Sequence, residues 1–268
     1  CIFTQSSAMK TSSHHNTTIL KKYIFQQGWH VDLNVLDETA ARLSNYRVAL
    51  FDMDSTLIKE EVIDELAREA GRYDEVAAIT ADAMQGSLSF DESLRQRLKL
   101  LAGLDTGALD RVRGRLNPCQ GARELIAAFN HAGLVTAVAS GGFTAICDPL
   151  ARDLGLQHSF ANDLEVQEGK LTGRLVDDVV RINAEGKRTV LEELCHKAGV
   201  GLEAAIAVGD GANDIPMVAA AGLGIAWHGK QKLRDIARIS VSQADSLESL
   251  LAFFTDAGAR ARTSNQNH

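Results

Sequence analysis

The chain has 268 residues, of which 45% are hydrophobic and 24% charged, with a net charge of −7. It is long enough to bury a full core without staples, as one domain with an insertion or as two modest domains. The acidic balance excludes a protein built mainly to coat nucleic acid, which needs a basic surface, but leaves room for a local cationic site that takes a small phosphorylated molecule.

The chain opens on Cys1, with a start-like Met9-Lys10 behind it. Residues 5–18 are rich in Ser, Thr, His and Asn and are expected to form a mobile tail, in which His14 and His15 are solvated. Ile19 to Phe25 and Val35 to Leu43 are each expected to form one short element, with order setting in at Arg47. The run Val48-Ala49-Leu50-Phe51 looks like a strand buried on both faces of a parallel sheet. Residues 59–114 hold helical patterns only, at Glu61–Ala70, Tyr73–Met84, Phe90–Leu101 and Thr106–Val112. A stretch of ~50 residues is too long for one crossover helix, so a separate helical subdomain is expected there.

Strand-like runs recur at Leu134–Ala139, Ala204–Val208 and Leu223–Trp227, alternating with helical patterns at Gly121–Ala132, Phe143–Leu154, Lys187–Ala198 and Asp214–Ala221. That alternation means βαβ units and a parallel α/β sheet. Leu164–Gln167 and Leu171–Val176, joined through Glu168-Gly169-Lys170, read as a small antiparallel hairpin. The expected organisation is a tail or short extension over 1–46, an α/β core over 47–58 and 115–255, a helical insertion over 59–114 and a C-terminal tail over 256–268. Cys1, Cys119, Cys147 and Cys195 lack CxxC spacing, so they read as apolar fillers or surface thiols in a reducing cytoplasm. No apolar run approaches the ~20 residues that span a bilayer.

Ligands of open α/β sheets bind beyond the carboxyl ends of the strands, so the residues leaving each strand carry the chemistry. The first strand delivers Asp52 and Asp54, the second Ser140-Gly141-Gly142, and a later one Gly209-Asp210-Gly211-Ala212-Asn213-Asp214, while Lys187 opens a helix. One rim thus collects the carboxylates Asp52, Asp54, Asp210 and Asp214 with one lysine and one anion cradle at a helix start. Crowded carboxylates with no His or Cys among them point to Mg²⁺. Four carboxylates and a phosphate dianion make about −6 against about +3 from Mg²⁺ and Lys187, so at least one carboxyl must carry a proton when substrate is bound. A protonated carboxyl beside a leaving oxygen is a general acid, and a carboxylate beside phosphorus is a nucleophile.

These four motifs, in this order, resemble those of the haloacid-dehalogenase-like hydrolases. The pattern through Leu57-Ile58, Glu61, Ile63-Asp64-Glu65, Met84-Gln85-Gly86, Phe90, Ser93-Leu94-Arg95-Gln96-Arg97 and Ser140-Gly141-Gly142-Phe143 is similar to the phosphoserine phosphatases among them, over Arg47 to Leu251. The resemblance implies a Rossmann-like, doubly wound parallel sheet with an inserted helical cap. It implies hydrolysis of O-phospho-L-serine, the last step of serine biosynthesis. In it Asp52 is the nucleophile, and Asp54 is the general acid and later base. Mg²⁺ is held by Asp52, the Asp54 carbonyl and Asp210, supported by Asp214. Ser140, Gly141 and Lys187 bind phosphate, and Glu61, Met84, Phe90, Arg97 and Asn213 bind the rest of the substrate. The partner is thus a small molecule, with neither nucleic acid nor membrane expected. The stretch 1–46 is expected to be too short for the regulatory domain that many relatives carry. A helical wheel independently sets Arg97 inside the leucine arc of Phe90–Leu101, where its fork needs a partner such as a substrate carboxylate. Two alternatives stay open: a phosphotransferase that passes the phosphoryl group to another alcohol such as homoserine, and a phospho-accepting signalling domain.

Overall fold

The structure, a computed structural model, describes residues 3–5, 31–84 and 88–257. The expected tail over 5–18 and the element at Ile19 to Phe25 lie essentially outside these residues. In chain order the strands are β1 (Phe3–Gln5), β2 (Val35–Asp37), β3 (Val48–Phe51), β4 (Val135–Phe143), β5 (His158–Asn162), β6 (Leu164–Gln167), β7 (Lys170–Leu175), β8 (Ala205–Gly209), β9 (Leu223–Trp227) and β10 (Ile239–Val241). The α-helices of the described residues are α1 (Val62–Glu69), α2 (Tyr73–Met84), α3 (Phe90–Lys99), α4 (Gly107–Arg113), α5 (Ala122–His131), α6 (Thr144–Leu154), α7 (Ala184–Lys197), α8 (Ile215–Ala220) and α9 (Gln231–Arg234).

Six strands form one sheet in the order β10-β9-β8-β3-β4-β5. Neighbours run parallel at β4–β5, β8–β9 and β9–β10. The chain winds from β3 to β5 in one direction and from β8 to β10 in the other, so the order reverses at β3, which sets the residues that follow β3 at a topological switch point. Every residue of β3, β8 and β9 is buried, as their unbroken apolar runs require. Two strands escape the sequence pattern. β5 is an edge strand that begins with the polar pair His158-Ser159, and β10 has only three residues.

By compactness the chain divides into two units. The first comprises residues 1–50, 120–136 and 191–268. Within it, β2 lies in the segment expected to form a short element, and Leu36, Leu43 and Tyr46 are buried. Tyr46 meets Phe254 edge-on at 6.0 Å between ring centroids, and Phe254 meets Phe129 of α5 in the same way. The buried Asn34 side chain donates to the Ser240 carbonyl and accepts from the Ser240 amide, at 2.9 and 2.8 Å, so one amide group covers the exposed edge of β10 as a further strand would.

The second unit comprises residues 51–119 and 137–190. Its insertion carries α1 to α4, and α2 has the predicted bounds. Helix α1 buries Val62, Ile63, Leu66 and Ala67 along one stripe. Helix α3 starts with a capping box in which Ser89 and Glu92 satisfy each other's backbone amides. The hairpin β6–β7 turns on Glu168 and Gly169, whose φ values of 51° and 73° are those of a primed turn. It packs on the helical insertion: Leu171 exchanges backbone hydrogen bonds with Gly103 and Leu104, at 2.8 and 2.9 Å. Gly173 has φ of 80°, and a Cβ there would lie 2.9 Å from Ala102 Cβ and 3.1 Å from the Leu98 carbonyl oxygen.

Cys147 and Cys195 are buried and Cys119 is half-buried, all as free thiols. No helix among the described residues is long and apolar enough to cross a membrane. Gly173→Ala combines a disfavoured φ with a steric overlap, and is expected to cost about 1–3 kcal/mol of stability. Urea denaturation measures this; a midpoint and slope equal to the parent's would show that the hairpin does not press on α3.

Candidate active site

The extended backbone of β3 stops at Phe51, and a tight turn replaces it. The Met53 carbonyl accepts from the amides of Thr56, Leu57 and Ile58, at 3.3, 2.8 and 3.1 Å. This turn, rather than a continued strand, sets where Asp54 stands. Asp52 is buried and forms an ion pair with Lys187, whose side chain has no exposed surface. The helix that supplies Lys187, α7, begins at Ala184 and not at Lys187 as expected, so the lysine projects from within its first turns. Asn183 precedes that helix and accepts from the Gly186 amide at 3.0 Å.

Asp54 stands in a different environment. One carboxyl oxygen accepts from the Val62 amide at 2.7 Å, and the other from the Ser140 hydroxyl at 3.1 Å. Desolvation, followed by the nearby negative charge of Glu61, raises its pKa from 3.8 to about 7, against the opposing pull of the Val62 amide, Ser140 and Lys187. Two carboxyl groups two residues apart are therefore set differently, one beside an ammonium and one favoured in its protonated form.

Ser140, Gly141 and Gly142 do not form a helix start as expected; they still belong to β4. Its register against β5 shifts between Ala139 and Phe143, so the glycines sit in an irregular stretch. The Gly142 amide donates to the Ser140 hydroxyl oxygen at 2.8 Å, and that hydroxyl donates onward to Asp54. A Cβ on Gly141 would lie 2.8 Å from the tip of the Phe90 ring, so only glycine lets Phe90 approach. Asn162, which the sequence reading passed over, is fully buried and anchors this stretch. Its amide nitrogen donates to the carbonyls of Gly141 and Ile182, each at 3.0 Å, and its oxygen accepts from the amides of Arg181 and Ile182. No motif marks it, since a lone Asn in a short polar strand looks like any edge residue.

The capping box of α3 puts Phe90 in the first turn and Arg97 two turns later. Arg97 is half-buried, as the leucine arc implies, with Leu94, Leu98 and Leu101 buried around it. Its Nε donates to the Ser93 carbonyl at 3.3 Å, and it makes no ion pair among the described residues. Burial lowers its pKa, while the charges of Asp64, Glu61 and Asp54 work the other way. Arg95 and Asp91 of the same helix reach Asp178 and Asn183, at 3.2 and 3.1 Å. Glu61 is exposed, directly precedes α1, and accepts from the Ser55 hydroxyl at 2.8 Å. The Met84 side chain lies outside the described residues.

In the first unit the loop after β8 is closed by Asp214. One oxygen of its buried carboxylate accepts from the amides of Asp210 and Gly211, at 3.0 and 2.9 Å. The Asp210 carbonyl accepts from the Lys230 amide at 2.8 Å. The helix expected over Asp214–Ala221 is α8, entered through a 3₁₀ turn over Ala212–Asp214. It leaves Asp210 half-exposed at the end of a buried strand, with Asn213 half-buried three residues on.

The family model for haloacid dehalogenase-like hydrolases matches residues 49–219. A phosphoserine phosphatase of Archaeoglobus fulgidus is 46% identical over 197 residues, which cover 74% of this chain and 57% of that protein. This chain therefore spans little more than half the length of that relative. A phosphoserine phosphatase of Methanocaldococcus jannaschii is 44% identical over 204 residues, covering 76% of this chain and 96% of the relative. Among solved structures, a phospho-aspartyl intermediate analogue of phosphoserine phosphatase superposes with a TM-score of 0.72 at 41% identity, covering 78% of this chain and 99% of the other.

The raised Asp54 pKa has a consequence for stability that can be measured without turnover. The folded state binds this proton more tightly than the unfolded chain, so the resulting stability is fully present below pH ~4 and lost as the pH rises through about 7. Asp54→Asn cannot ionise. In chelator-treated buffer its melting temperature is expected to rise relative to the parent's as the pH goes from 5 to 8, then to level off. A difference that shrinks over this range would show that the carboxyl is not held in its protonated form.

Proposed function

The chain belongs to the haloacid dehalogenase-like hydrolases, and we propose that it hydrolyses phosphoserine to serine and inorganic phosphate through an aspartyl phosphate on Asp52. The observation that carries this reading is the contrast between Asp52, paired with Lys187, and Asp54, with its pKa raised to about 7. An ionised carboxylate is the nucleophile that attack on phosphorus needs, and a carboxyl that titrates near neutrality can give up a proton and then take one back.

In the first step the Asp52 carboxylate attacks phosphorus, the bond to the serine oxygen breaks, and Asp54 delivers its proton to that oxygen. In the second step Asp54, now ionised, takes a proton from water as the water attacks phosphorus, and Asp52 leaves as a carboxylate. Lys187, Ser140 and the amides near Gly141 balance the charge of the phosphoryl oxygens. Asn162 keeps the Gly141 backbone in place for this. Arg97, desolvated and without an ion pair among the described residues, offers its fork to the substrate carboxylate, and Glu61 faces the ammonium. Asn213 lies on the loop with Asp210, and Phe90 adds an apolar wall beside the serine moiety. We read residues 59–114 as a cap that excludes water during the first step.

The oxygen donors Asp52, the Asp54 carbonyl and Asp210 fit a hard divalent ion, which we read as Mg²⁺. They leave neighbouring strands of the sheet, and Asp214 orients the Asp210 backbone. When bound, the ion would withdraw charge from the phosphoryl oxygens and align phosphorus with Asp52. The relatives are named as phosphatases, which supports water over a second alcohol as acceptor. The free cysteines fit a reducing cytoplasm.

Two measurements test the reading. Asp52→Asn is expected to fold and to lose essentially all phosphate release, because an amide forms no acyl phosphate; parent-like turnover, with deamidation excluded by mass spectrometry, would overturn the mechanism. Arg97→Ala is expected to lose about 2–5 kcal/mol of transition-state binding for phosphoserine, roughly 30- to 5,000-fold in kcat/KM. Phosphoethanolamine has the ammonium but no carboxylate and should lose far less. An equal loss for both would make Arg97 a structural residue.

A further inference from the structure

Ser55 holds a backbone conformation that suits glycine. Its φ is 58°, one of five positive values at non-glycine residues among the described ones. The turn around Met53 demands it: the Ser55 amide points back to the Glu60 carbonyl at 3.4 Å while the next three amides converge on Met53. Glycine would meet this demand without the strain that a Cβ brings. A residue kept in an unfavourable conformation calls for a gain from its side chain. Among the described residues the Ser55 side chain makes one hydrogen bond, from its hydroxyl to one Glu61 oxygen at 2.8 Å.

Glu61 needs such a hold. It directly precedes α1, but its side chain makes no capping hydrogen bond, and it is exposed. Its second carboxyl oxygen has no hydrogen-bond partner among the described residues. Arg97 is close enough for the two charges to influence each other, yet they form no ion pair. Opposite charges this close, one of them desolvated, would cancel each other if Glu61 were free to swing across.

We propose that Ser55 is a positioning residue for substrate discrimination: its hydroxyl holds Glu61 away from Arg97, so that the two meet the ammonium and the carboxylate of a zwitterionic phosphomonoester. The proposal rests on the reading that Glu61 takes the ammonium.

The test compares Ser55→Gly, Glu61→Gln and the double variant on phosphoserine and on 3-phosphooxypropionate, which keeps the carboxylate and lacks the ammonium. Ser55→Gly is expected to melt no lower than the parent, since glycine relieves the backbone. It should lose about five- to tenfold in kcat/KM for phosphoserine, mostly through KM, and less than twofold for 3-phosphooxypropionate. The double variant should be no worse than Glu61→Gln alone, because the hydroxyl acts through that carboxylate. Equal losses on both substrates, no loss on phosphoserine, or additive losses in the double variant would overturn the role of Ser55. If Glu61→Gln itself fails to separate the two substrates, the ammonium reading of Glu61 falls and the proposal falls with it. If Glu61→Gln separates them and Ser55→Gly does not, only the proposal falls.

Discussion

A lysine with no exposed surface constrains everything around it. A buried ammonium is tolerated only when a counter-charge meets it, and here the partner is Asp52, the first residue beyond β3. The pair ties the first turns of α7 to the residue that leaves the central strand. The surroundings are built to keep that approach in register. Asn183 caps the start of α7, and Asn162 binds Ile182 on one side and Gly141 on the other. Two side-chain amides therefore hold three backbone segments at the spacing that the ion pair needs.

The difference between Asp52 and Asp54 follows from this arrangement and from a turn. Alternation along a strand would treat the two carboxyls alike. The Met53 turn separates them, sending one to Lys187 and the other to the Val62 amide and the Ser140 hydroxyl. Desolvation then outweighs the two hydrogen bonds and the more distant lysine, and the proton is retained up to about pH 7. A carboxyl that would be ionised in water thus becomes an acid near neutrality. The same turn places Ser55 in its left-handed conformation with its hydroxyl on Glu61, so the carboxyl that keeps its proton and the hold on Glu61 share one piece of backbone.

Helix α3 carries packing residues and also the arginine that we propose meets the substrate. Its capping box defines the first turn, which brings Phe90 against Gly141, and its period brings Arg97 into the leucine arc. Arg95 and Asp91 hold it to the segment between β7 and α7, and the hairpin β6–β7 supports it from another side. Arg97 is desolvated by these contacts without being neutralised by them, the state in which a guanidinium gains most from an incoming carboxylate.

Much of this was legible from the chain alone. Strands buried on both faces leave unbroken apolar runs, so β3, β8 and β9 could be read directly, as could the helical insertion, from its period. The candidate groups were legible because a parallel sheet presents its ligand residues near strand ends: Asp52 and Asp54 follow β3, Asp210 follows β8, and Ser140 lies in the irregular last part of β4. Arg97 was found because a charge inside a leucine arc breaks the helical pattern. Other features depend on groups distant in sequence and carry no local signal. The edge strands β5 and β10 are too short and too polar to show a period, and residues 31–46 scatter their buried side chains too widely. The support of the hairpin by the helices, the anchoring role of Asn162, and the raised pKa of Asp54 arise only when segments tens of residues apart come together. Periodicity reports which face of an element is buried, and hence the elements and their order; hydrogen-bond partners and desolvation are properties of the assembled chain, and only the tertiary structure decided them.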